Sequence, residues 1–476
     1  MTTLGIRNPR TGREDYSITL PEAHELARRC AELRAKQSAW SALGVAGRSI
    51  VLQRWKEELS QAREPLIQAV TTDTGRLGES VLELEGVLGT IERWCQQAPL
   101  SYVEERKPSQ VVPFIQISSD YVPHQLVGII SPWNFPLLLS LIDAIPALLA
   151  GCAVLIKPSE VTPRFVAPLL ETIARVPELR DVFYVQVGDG TTGATLIEYV
   201  DALCFTGSVA NGRKVAEATA RRFIPAFLEL GGKDPAIVLP STDLERATTA
   251  LLWGSVVNTG QSCQSIERIY VARTIFDEFV ARLVEKARQL KLAYPEYTSG
   301  QIGPIMAVRQ AGTIERHLRD AVEKGARIHC GGAIETHGGG LWCLPTVLTN
   351  VKHTMLNMSE ESFGPLLPVM AFDTLEEAIS LANDSLYGLS ASVFAGSAEE
   401  AEAVAHHLEA GAVSINDVSL TAFVHDGEEH SFKYSGLGGS RMGPAAIKRF
   451  LRTRALLTNP GINDPWWFPF PAPSQQ

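Results

Sequence analysis

The sequence has few cysteines and no metal-binding pattern. Its seven cysteines, at positions 30, 95, 152, 204, 263, 330 and 343, are scattered and odd in number. Neither Cys-x-x-Cys nor His-x-His spacing occurs, so the pattern supports neither a disulfide framework nor a zinc site. We expect free thiols and no bound metal.

The sequence also lacks a signal core and a long apolar run. The most apolar segment, residues 136–150, is interrupted by Asp143 and Pro146. These features predict a cytoplasmic protein without a membrane span. Basic residues are too few for a nucleic-acid partner, because 43 Lys and Arg face 53 Asp and Glu, a net charge of −10.

Strands and helices alternate through most of the 476 residues, a length that predicts two or three domains. Residues 20–43 and 46–97 have the periodicity of long helices. Apolar runs typical of buried parallel strands follow at residues 127–130, 153–156, 181–187, 202–205 and 226–228. A second set, to about Asn416, has helices near residues 244–258, 275–292, 308–324, 375–383 and 398–409. The pattern predicts an α/β fold with a doubly wound parallel sheet.

Cys263 lies behind Gly260, on a loop between a predicted helix and a predicted strand over Ile266–Ala272. Reactive side chains concentrate on such loops, which place them in clefts. A lone cysteine is nevertheless more often buried and inert, and this segment alone favours that interpretation.

Asn134 follows a predicted strand, within Ser131-Pro-Trp-Asn-Phe-Pro136. Its rigid neighbours favour a fixed amide donor to an oxyanion, with a turn cap as the alternative. Glu229 precedes a flexible turn, in Glu229-Leu-Gly-Gly, and Glu361 precedes a rigid one, in Glu361-Ser-Phe-Gly-Pro. Glu229 follows an apolar strand, and an apolar wall is expected to raise the pKa of its carboxyl toward that of a general base. A strand-end carboxylate satisfied by neighbouring amides is the alternative for Glu229, while Glu361 alone indicates a turn residue.

Lys157 and Glu160 follow the next predicted strand and have the chemistry to bind ribose hydroxyls. An acidic group there repels a 2′-phosphate and so favours NAD over NADP, while a surface ion pair is the alternative. Two glycine-bounded turns, residues 188–193 and 205–212, are both candidates for the pyrophosphate. The first fits GxGxxG but lacks the acidic residue about 20 positions later, and the sequence does not choose between them.

These segments together resemble the aldehyde dehydrogenase superfamily over nearly the whole chain, from Asn8 to Arg452. The matching segments, in the family's order, are Pro-Trp-Asn-Phe-Pro, Lys-Pro-Ser-Glu, Phe-Thr-Gly-Ser, Glu-Leu-Gly-Gly-Lys, Gly-Gln-Ser-Cys, Glu-Ser-Phe-Gly-Pro and Ser-Gly-Leu-Gly. So many segments in one order are far more specific than any one of them.

The resemblance implies that Cys263 is the nucleophile, Glu229 the general base and Asn134 the oxyanion donor. It implies an NAD site, with NADP as a possible alternative. The implied cofactor residues are Ser131, Trp133, Lys157, Ser159, Glu160, Gly190, Gly193, Phe205, Thr206, Gly207, Ser208, Glu361 and Phe363. The expected reaction is oxidation of an aldehyde to the acid through a thioester. An acylating reaction with coenzyme A and a catalytically idle scaffold are the alternatives.

The resemblance also implies three structural parts: a Rossmann-like cofactor domain (residues 1–102 and 124–230), a catalytic domain (231–430) and an oligomerisation arm and tail (103–123 and 448–476). A homodimer or homotetramer is expected, with the aromatic Trp466-Trp467-Phe468 tail at an interface. Around the aldehyde site the sequence departs from the family, at Gln264 and in the polar loop 421–430. The apolar run after Asn134, without an obvious arginine, favours an apolar aliphatic or aromatic aldehyde.

Overall fold

The chain folds around two large sheets in a computed structural model that describes residues 2–102 and 106–461. The first sheet has six strands, and its five parallel strands confirm the five predicted from the sequence. In spatial order the strands are Gly436–Leu437, Ala226–Glu229, Ala202–Thr206, Leu126–Ile130, Ala153–Lys157 and Phe183–Val185. Gly436–Leu437 runs antiparallel at the edge.

In this half of the chain, some helices come before the first sheet in the sequence and the others connect its strands. They span Ala23–Ala42, Gly44–Gln61, Arg63–Thr74, Leu77–Gln97, Pro136–Leu141, Ala144–Ala150, Val166–Ala174, Pro177–Arg180, Gly190–Ile197 and Val209–Arg222. The range 46–97, predicted to be helical, is divided into three helices, because the chain turns at Ala62 and Gly75. Gly75 adopts a left-handed conformation (φ 75°) and packs so closely on Pro304 that a Cβ would overlap it.

The second sheet has seven strands, all parallel except the edge strand Arg327–Ile328. In spatial order they are Arg327–Ile328, Thr346–Thr349, Leu366–Phe372, Ile266–Ala272, Asp234–Val238, Ser390–Phe394 and Ala412–Ile415. Its helices are Leu244–Val256, Phe276–Gln289, Val308–Glu323, Leu356–Ser359, Leu375–Asn383 and Ala398–Ala405. The five helices predicted in this half are therefore confirmed, and three of them end several residues before the predicted position.

A separate three-stranded antiparallel sheet joins Lys107–Pro108, Gln116–Pro123 and Leu451–Thr458. Two hairpins pair Thr3–Arg7 with Glu14–Thr19 and Ile334–His337 with Gly340–Cys343. A further antiparallel pair joins Tyr387–Gly388 to Phe432–Lys433, which is distant in the sequence. The Trp466-Trp467-Phe468 tail lies outside the described residues. Within the described ranges, no helix combines the length and the apolar character that crossing a membrane requires.

Candidate active site

The loop that carries Cys263 follows the helix Leu244–Val256 and a short 3-10 turn, Val257–Gly260. Asn258, Thr259 and Gly260 are three consecutive left-handed residues, with φ of 57°, 58° and 69°. The buried side chain of Gln261 holds the loop, because its Nε2 donates to the carbonyl of Asn258 and its Oε1 accepts from the backbone N–H of Met306. Cys263 is partly exposed beyond this turn.

Asn134 contacts the same loop. Its Nδ2 donates to the carbonyl of Gln261 at 3.1 Å, and its own carbonyl accepts from Asn258 Nδ2 at 2.9 Å. Arg76 Nη2 donates to that carbonyl as well, at 3.1 Å. The structure therefore brings Asn134 and the cysteine loop together, and it fixes the asparagine amide while one of its two N–H bonds engages Gln261.

The Glu229-Leu-Gly-Gly segment passes between the cysteine loop and Glu361. A Cβ on Gly231 would lie 2.5 Å from Glu361 Oε2, and a Cβ on Gly232 would overlap the carbonyl oxygen of Cys263. Glu361 Oε1 accepts a hydrogen bond of 3.0 Å from the backbone N–H of Gly232. A similar overlap with Gly364 excludes a side chain at Gly260. Main-chain packing thus joins the three predicted segments.

Burial and acidic neighbours both disfavour the thiolate form of Cys263. Burial raises the pKa of Cys263 to about 12, and the charges of Glu361, Asp234 and Glu229 also raise it, while Arg441 opposes them. Burial likewise raises the pKa of Glu361 to about 8, with a further contribution from Glu267. Without a base or a cationic ligand, Cys263 is a neutral thiol at pH 7.

A buried charge cluster beside Glu229 was not predicted from the sequence. Asp143 is 1% exposed and accepts from Arg441 Nη2 and Arg449 Nη2, both at 2.8 Å. Arg441 also donates to Thr206 Oγ1 and interacts electrostatically with Glu229. The only signal for this cluster was Asp143, a charge within an otherwise apolar segment, because its partners lie far away in the sequence.

Residues 429–431 also lie beside Glu229. Ser431 Oγ donates to Glu229 Oε2 at 3.1 Å. Burial and the charge of Glu229 raise the pKa of Glu429 to about 7, against the opposing effect of Arg441. This part of the predicted polar loop therefore contacts the candidate base itself.

A second unpredicted ion pair lies beneath the Glu361 turn. Lys233 Nζ and Glu267 Oε2 are 2.5 Å apart, with side chains 0% and 2% exposed. Both oxygens of Glu267 accept backbone N–H bonds of 2.7 Å, from Ser362 and from Phe363. Phe363 has a left-handed φ of 50°. The carboxylate therefore holds this turn in a conformation that is unfavourable for a phenylalanine.

A cleft of about 780 Å³ lies at the carboxyl ends of the first sheet's strands. Of the thirteen predicted cofactor residues, eleven line it: Ser131, Trp133, Lys157, Ser159, Glu160, Gly190, Gly193, Phe205, Thr206, Gly207 and Ser208. Glu361 and Phe363 are not among the lining residues. Phe363 nevertheless packs edge-on against Trp133, with ring centroids 5.3 Å apart, so the Glu361 turn borders the cleft.

Lys157 Nζ and Glu160 Oε2 form an ion pair of 3.0 Å at the cleft, where the glutamate side chain is 39% exposed. The two glycine turns line the same cleft, so they are neighbours in space. Their helix caps differ: Asp189 accepts from the backbone N–H of Thr192, and Ser208 accepts from that of Asn211. The serine leaves its helix N-terminus without a negative charge.

The model of the "Aldehyde dehydrogenase family" matches residues 2–456 of the chain. Among curated sequences, the chain is 36% identical to a succinate-semialdehyde dehydrogenase [NADP(+)], so named provisionally, from Mycolicibacterium smegmatis. The match covers 95% of this chain and 88% of the relative. It is 34% identical to 4,4′-diapolycopene aldehyde oxidase from a Methylomonas species, over 99% of this chain and 89% of the relative.

Solved structures agree with these matches. A protein from Anabaena variabilis, provisionally assigned as an aldehyde dehydrogenase, is 59% identical with a TM-score of 0.96, over 98% of this chain and 100% of that chain. The betaine aldehyde dehydrogenase of Staphylococcus aureus, solved in complex with NAD+, is 29% identical with a TM-score of 0.91, over 98% of this chain and 93% of that chain.

Proposed function

Since the chain belongs to the aldehyde dehydrogenase family, we propose that it oxidises an aldehyde to the carboxylic acid through a thioester on Cys263, with NAD as electron acceptor. The observation that carries this proposal is the meeting of three segments at one point beside the cleft: the Cys263 loop, Asn134 and the Glu229–Gly232 segment. Each brings one group that the reaction needs, namely a nucleophile, an oxyanion donor and a base.

In the proposed reaction the thiol of Cys263 passes its proton to water, and the sulfur bonds to the aldehyde carbon while the carbonyl π pair moves onto the oxygen as an oxyanion. The Asn134 amide, fixed by Gln261, donates its second N–H to the developing oxyanion, together with the backbone N–H of Cys263. Loss of one such donor costs about 10²–10³ in rate. Glu229 then takes a proton from the water that releases the acid, and the hydroxyl of Ser431 orients its carboxylate.

NAD, when bound in the cleft, supplies the two-electron acceptor for the hydride that leaves the tetrahedral carbon. Lys157 and Glu160 would hold the adenosine ribose, and Glu361 the nicotinamide ribose. The pyrophosphate fits the N-terminus at Ser208 better than the one at Asp189, because the capping carboxylate of Asp189 repels an anion.

NADP is the second candidate acceptor. The relative from Mycolicibacterium smegmatis carries NADP(+) in its name, whereas the structure from Staphylococcus aureus contains NAD+. Glu160 favours NAD, because its charge repels a 2′-phosphate. Lys214 and Arg309 also line the cleft, and their positive charges would offset part of the repulsion between Glu160 and a 2′-phosphate.

For the substrate we propose an apolar aliphatic or aromatic aldehyde. The helix after Asn134, Pro136–Leu141, is apolar apart from Ser140. The guanidinium of Arg441 is already paired with Asp143, so it is a poor partner for a second substrate carboxylate. The name of the Mycolicibacterium relative favours a short semialdehyde instead, while that of the Methylomonas relative favours a larger apolar one.

A panel of aldehydes tests these choices together. We expect hexanal or benzaldehyde to give a higher kcat/KM than succinate semialdehyde, and NAD to exceed NADP. Each assay is repeated with and without coenzyme A, because free acid as the product in both supports hydrolysis by Glu229. A thioester of coenzyme A as the product would identify the acylating alternative.

Two variants test the assigned chemistry. Cys263→Ala is expected to abolish NADH formation while NAD still binds, because only the nucleophile is removed. Glu229→Gln is expected to slow release of the acid most, so that a burst of NADH precedes a slow steady state. Full turnover by Cys263→Ala would refute the assignment, and a variant without NAD binding would mark a folding defect rather than a catalytic one.

We also propose that the chain is cytoplasmic, since all seven cysteines are free, and that it forms a homodimer or homotetramer. The strand Leu451–Thr458 supports this assembly, because Leu456 and Leu457 are exposed on it. The domain boundaries given above remain part of this proposal, with the three-stranded sheet as the oligomerisation element.

A further inference from the structure

Glu229 ends the strand Ala226–Glu229 and has a strand neighbour on each side. Thr206 is its partner in the parallel strand Ala202–Thr206, and Gly436 is its partner in the antiparallel edge strand. Paired residues of neighbouring strands lie about 5 Å apart and point to the same face of the sheet. A group that contacts the side chain of Thr206 is therefore adjacent to the carboxyl group of Glu229.

The guanidinium group of Arg441 occupies this position. Its Nη2 donates to Thr206 Oγ1, and also to Asp143 Oδ2 at 2.8 Å. Its charge interacts with that of Glu229, as the strand pairing leads us to expect. Among the described residues, neither the buried Nε of Arg441 nor the buried Oε2 of Glu429 has a hydrogen-bond partner. Such groups are uncommon in folded proteins, and catalytic sites are one of the places where they occur.

The cluster around Asp143 carries more positive than negative charge. Its one buried carboxylate accepts from two guanidinium groups, those of Arg441 and Arg449, both at 2.8 Å. A surplus charge in the protein interior is costly unless another charge compensates it. Glu229 supplies that charge, since its carboxylate interacts with Arg441. Cys204 also faces this cluster, but burial raises the pKa of its thiol far above the usual range, so it stays neutral.

Glu429 is a second carboxyl group beside Arg441. Its backbone N–H donates at 3.0 Å to Ser440 Oγ, next to Arg441 in the chain. Burial and the charge of Glu229 raise the pKa of Glu429 to about 7, and Arg441 opposes this rise. Below that pH Glu429 is mostly neutral, so the charge of Arg441 acts on Glu229 rather than on Glu429. The thiol of Cys263 also interacts with Arg441 but is neutral, because its pKa is about 12.

We propose that Arg441, anchored by Asp143 and Thr206, is a positioning residue for release of the acid, because its charge holds the carboxylate of Glu229 ionised beside the thioester. This inference rests on the proposed function and adds a residue to its second half. In that step Glu229 takes a proton from water while the water oxygen bonds to the thioester carbon. The carbon–sulfur bond then breaks, and the sulfur leaves with the electron pair and recovers the proton.

The variant Arg441→Met removes the charge but keeps most of the side-chain volume. The measurement is the pH profile of kcat, at saturating NAD, for the aldehyde of the panel with the highest kcat/KM. We expect its acid limb to move to higher pH by about one unit, because an adjacent positive charge favours the ionised form of a carboxyl. The burst of NADH should persist, since the first half of the reaction does not use Glu229. Arg441→Lys keeps the charge and should leave the limb in place.

Arg164→Met is the matched control. Arg164 also pairs with a buried carboxylate, that of Asp73, and the two side chains are 10% and 1% exposed. Those of Arg441 and Asp143 are 8% and 1% exposed. Urea unfolding should therefore show a loss of stability in both methionine variants, whereas the acid limb should move only in Arg441→Met. This difference separates an effect on the base from a general effect on the fold.

An acid limb that stays in place in Arg441→Met, or that moves equally in Arg441→Lys or Arg164→Met, would overturn the inference. Arg441→Gln replaces Arg441→Met should the latter not fold, as judged by thermal unfolding, and the same shift is expected from it.

Glu429→Gln adds a test of where the proton of the two carboxyls lies. It should leave the limb in place, because Glu429 is already mostly neutral below pH 7. A shift as large as that of Arg441→Met would contradict the inference. Full turnover by Cys263→Ala, or failure of the unmodified protein to oxidise any aldehyde, would instead refute the proposed function.

Discussion

Both large sheets consist mainly of parallel strands, but they differ in where charged residues lie within those strands. In the first sheet the buried strands Ala153–Lys157 and Ala202–Thr206 are apolar or uncharged except at the terminal lysine, which reaches the cleft. In the second sheet, strands begin with buried charges: Asp234 in one strand, and Glu267 with Arg268 in its neighbour. These charges lie beneath the cysteine loop and the Glu361 turn.

This difference indicates two ways to build a site. The first sheet presents a groove, in which helix N-termini and strand ends remain accessible to a ligand. The second sheet fixes the turn after Glu361, because the buried carboxylate of Glu267 accepts hydrogen bonds from the backbone N–H groups of that turn. We therefore expect substitutions in the second sheet to cost stability, and those in the first to change ligand preference.

The largest effect is expected from Glu267→Gln. The substitution leaves the ammonium of Lys233 buried without its counter-charge, which typically costs about 3–5 kcal/mol of the free energy of unfolding. Urea unfolding measures this loss. The matched variant in the first sheet is Lys157→Met, whose partner Glu160 is 39% exposed, and it should cost less than about 1 kcal/mol. Similar losses in both variants would remove the distinction between the sheets.

A smaller effect is expected in the pH dependence of cofactor binding. The pKa of Glu361 is raised to about 8, so its carboxyl is neutral below that pH and ionised above it. Since an ionised carboxylate accepts ribose hydroxyls more strongly, NAD affinity should rise by up to about tenfold as pH increases through 8. NAD titrations followed by quenching of the protein's tryptophan fluorescence, from pH 6.5 to 9, measure this rise. The same rise in Glu361→Gln would assign it to another group.

The smallest effect is expected from Glu160→Gln in the first sheet. Removal of a partly exposed charge relieves about 1 kcal/mol of repulsion toward a 2′-phosphate, so the NADP to NAD ratio of kcat/KM should rise about fivefold. The midpoint of unfolding should remain unchanged. A destabilised variant with an unaltered ratio would show that the ion pair with Lys157 is structural only.

The sequence predicted the parallel strands well, because burial on both faces makes each strand a continuous apolar run bounded by turns. It predicted the helical character of residues 46–97 but not the breaks within them, since amphipathic spacing continues across Ala62 and Gly75 although the backbone turns there. The proximity of Cys263, Asn134 and Glu361 was expected only through the family resemblance, because spacing along the chain does not show which loops meet.

The partners in the buried ion pairs could not be predicted from the sequence, for a physical reason. Asp143 pairs with arginines 298 and 306 residues away, and Lys233 with a glutamate 34 residues away on a neighbouring strand. A charge in an apolar segment indicates that a partner exists, but its identity depends on the packing of distant elements. The sequence alone therefore shows Asp143 only as an interruption of an apolar run.

The glycine contacts at the cysteine loop bear on how this protein can change over generations. Gly232 abuts the carbonyl of Cys263, and Gly260 abuts Gly364, so the nucleophile is located by main chain against main chain. Side chains of neighbouring elements can then be exchanged without displacing the sulfur. Selection, or a directed library at positions outside these glycines, can alter which aldehydes are accepted while the chemical step stays intact.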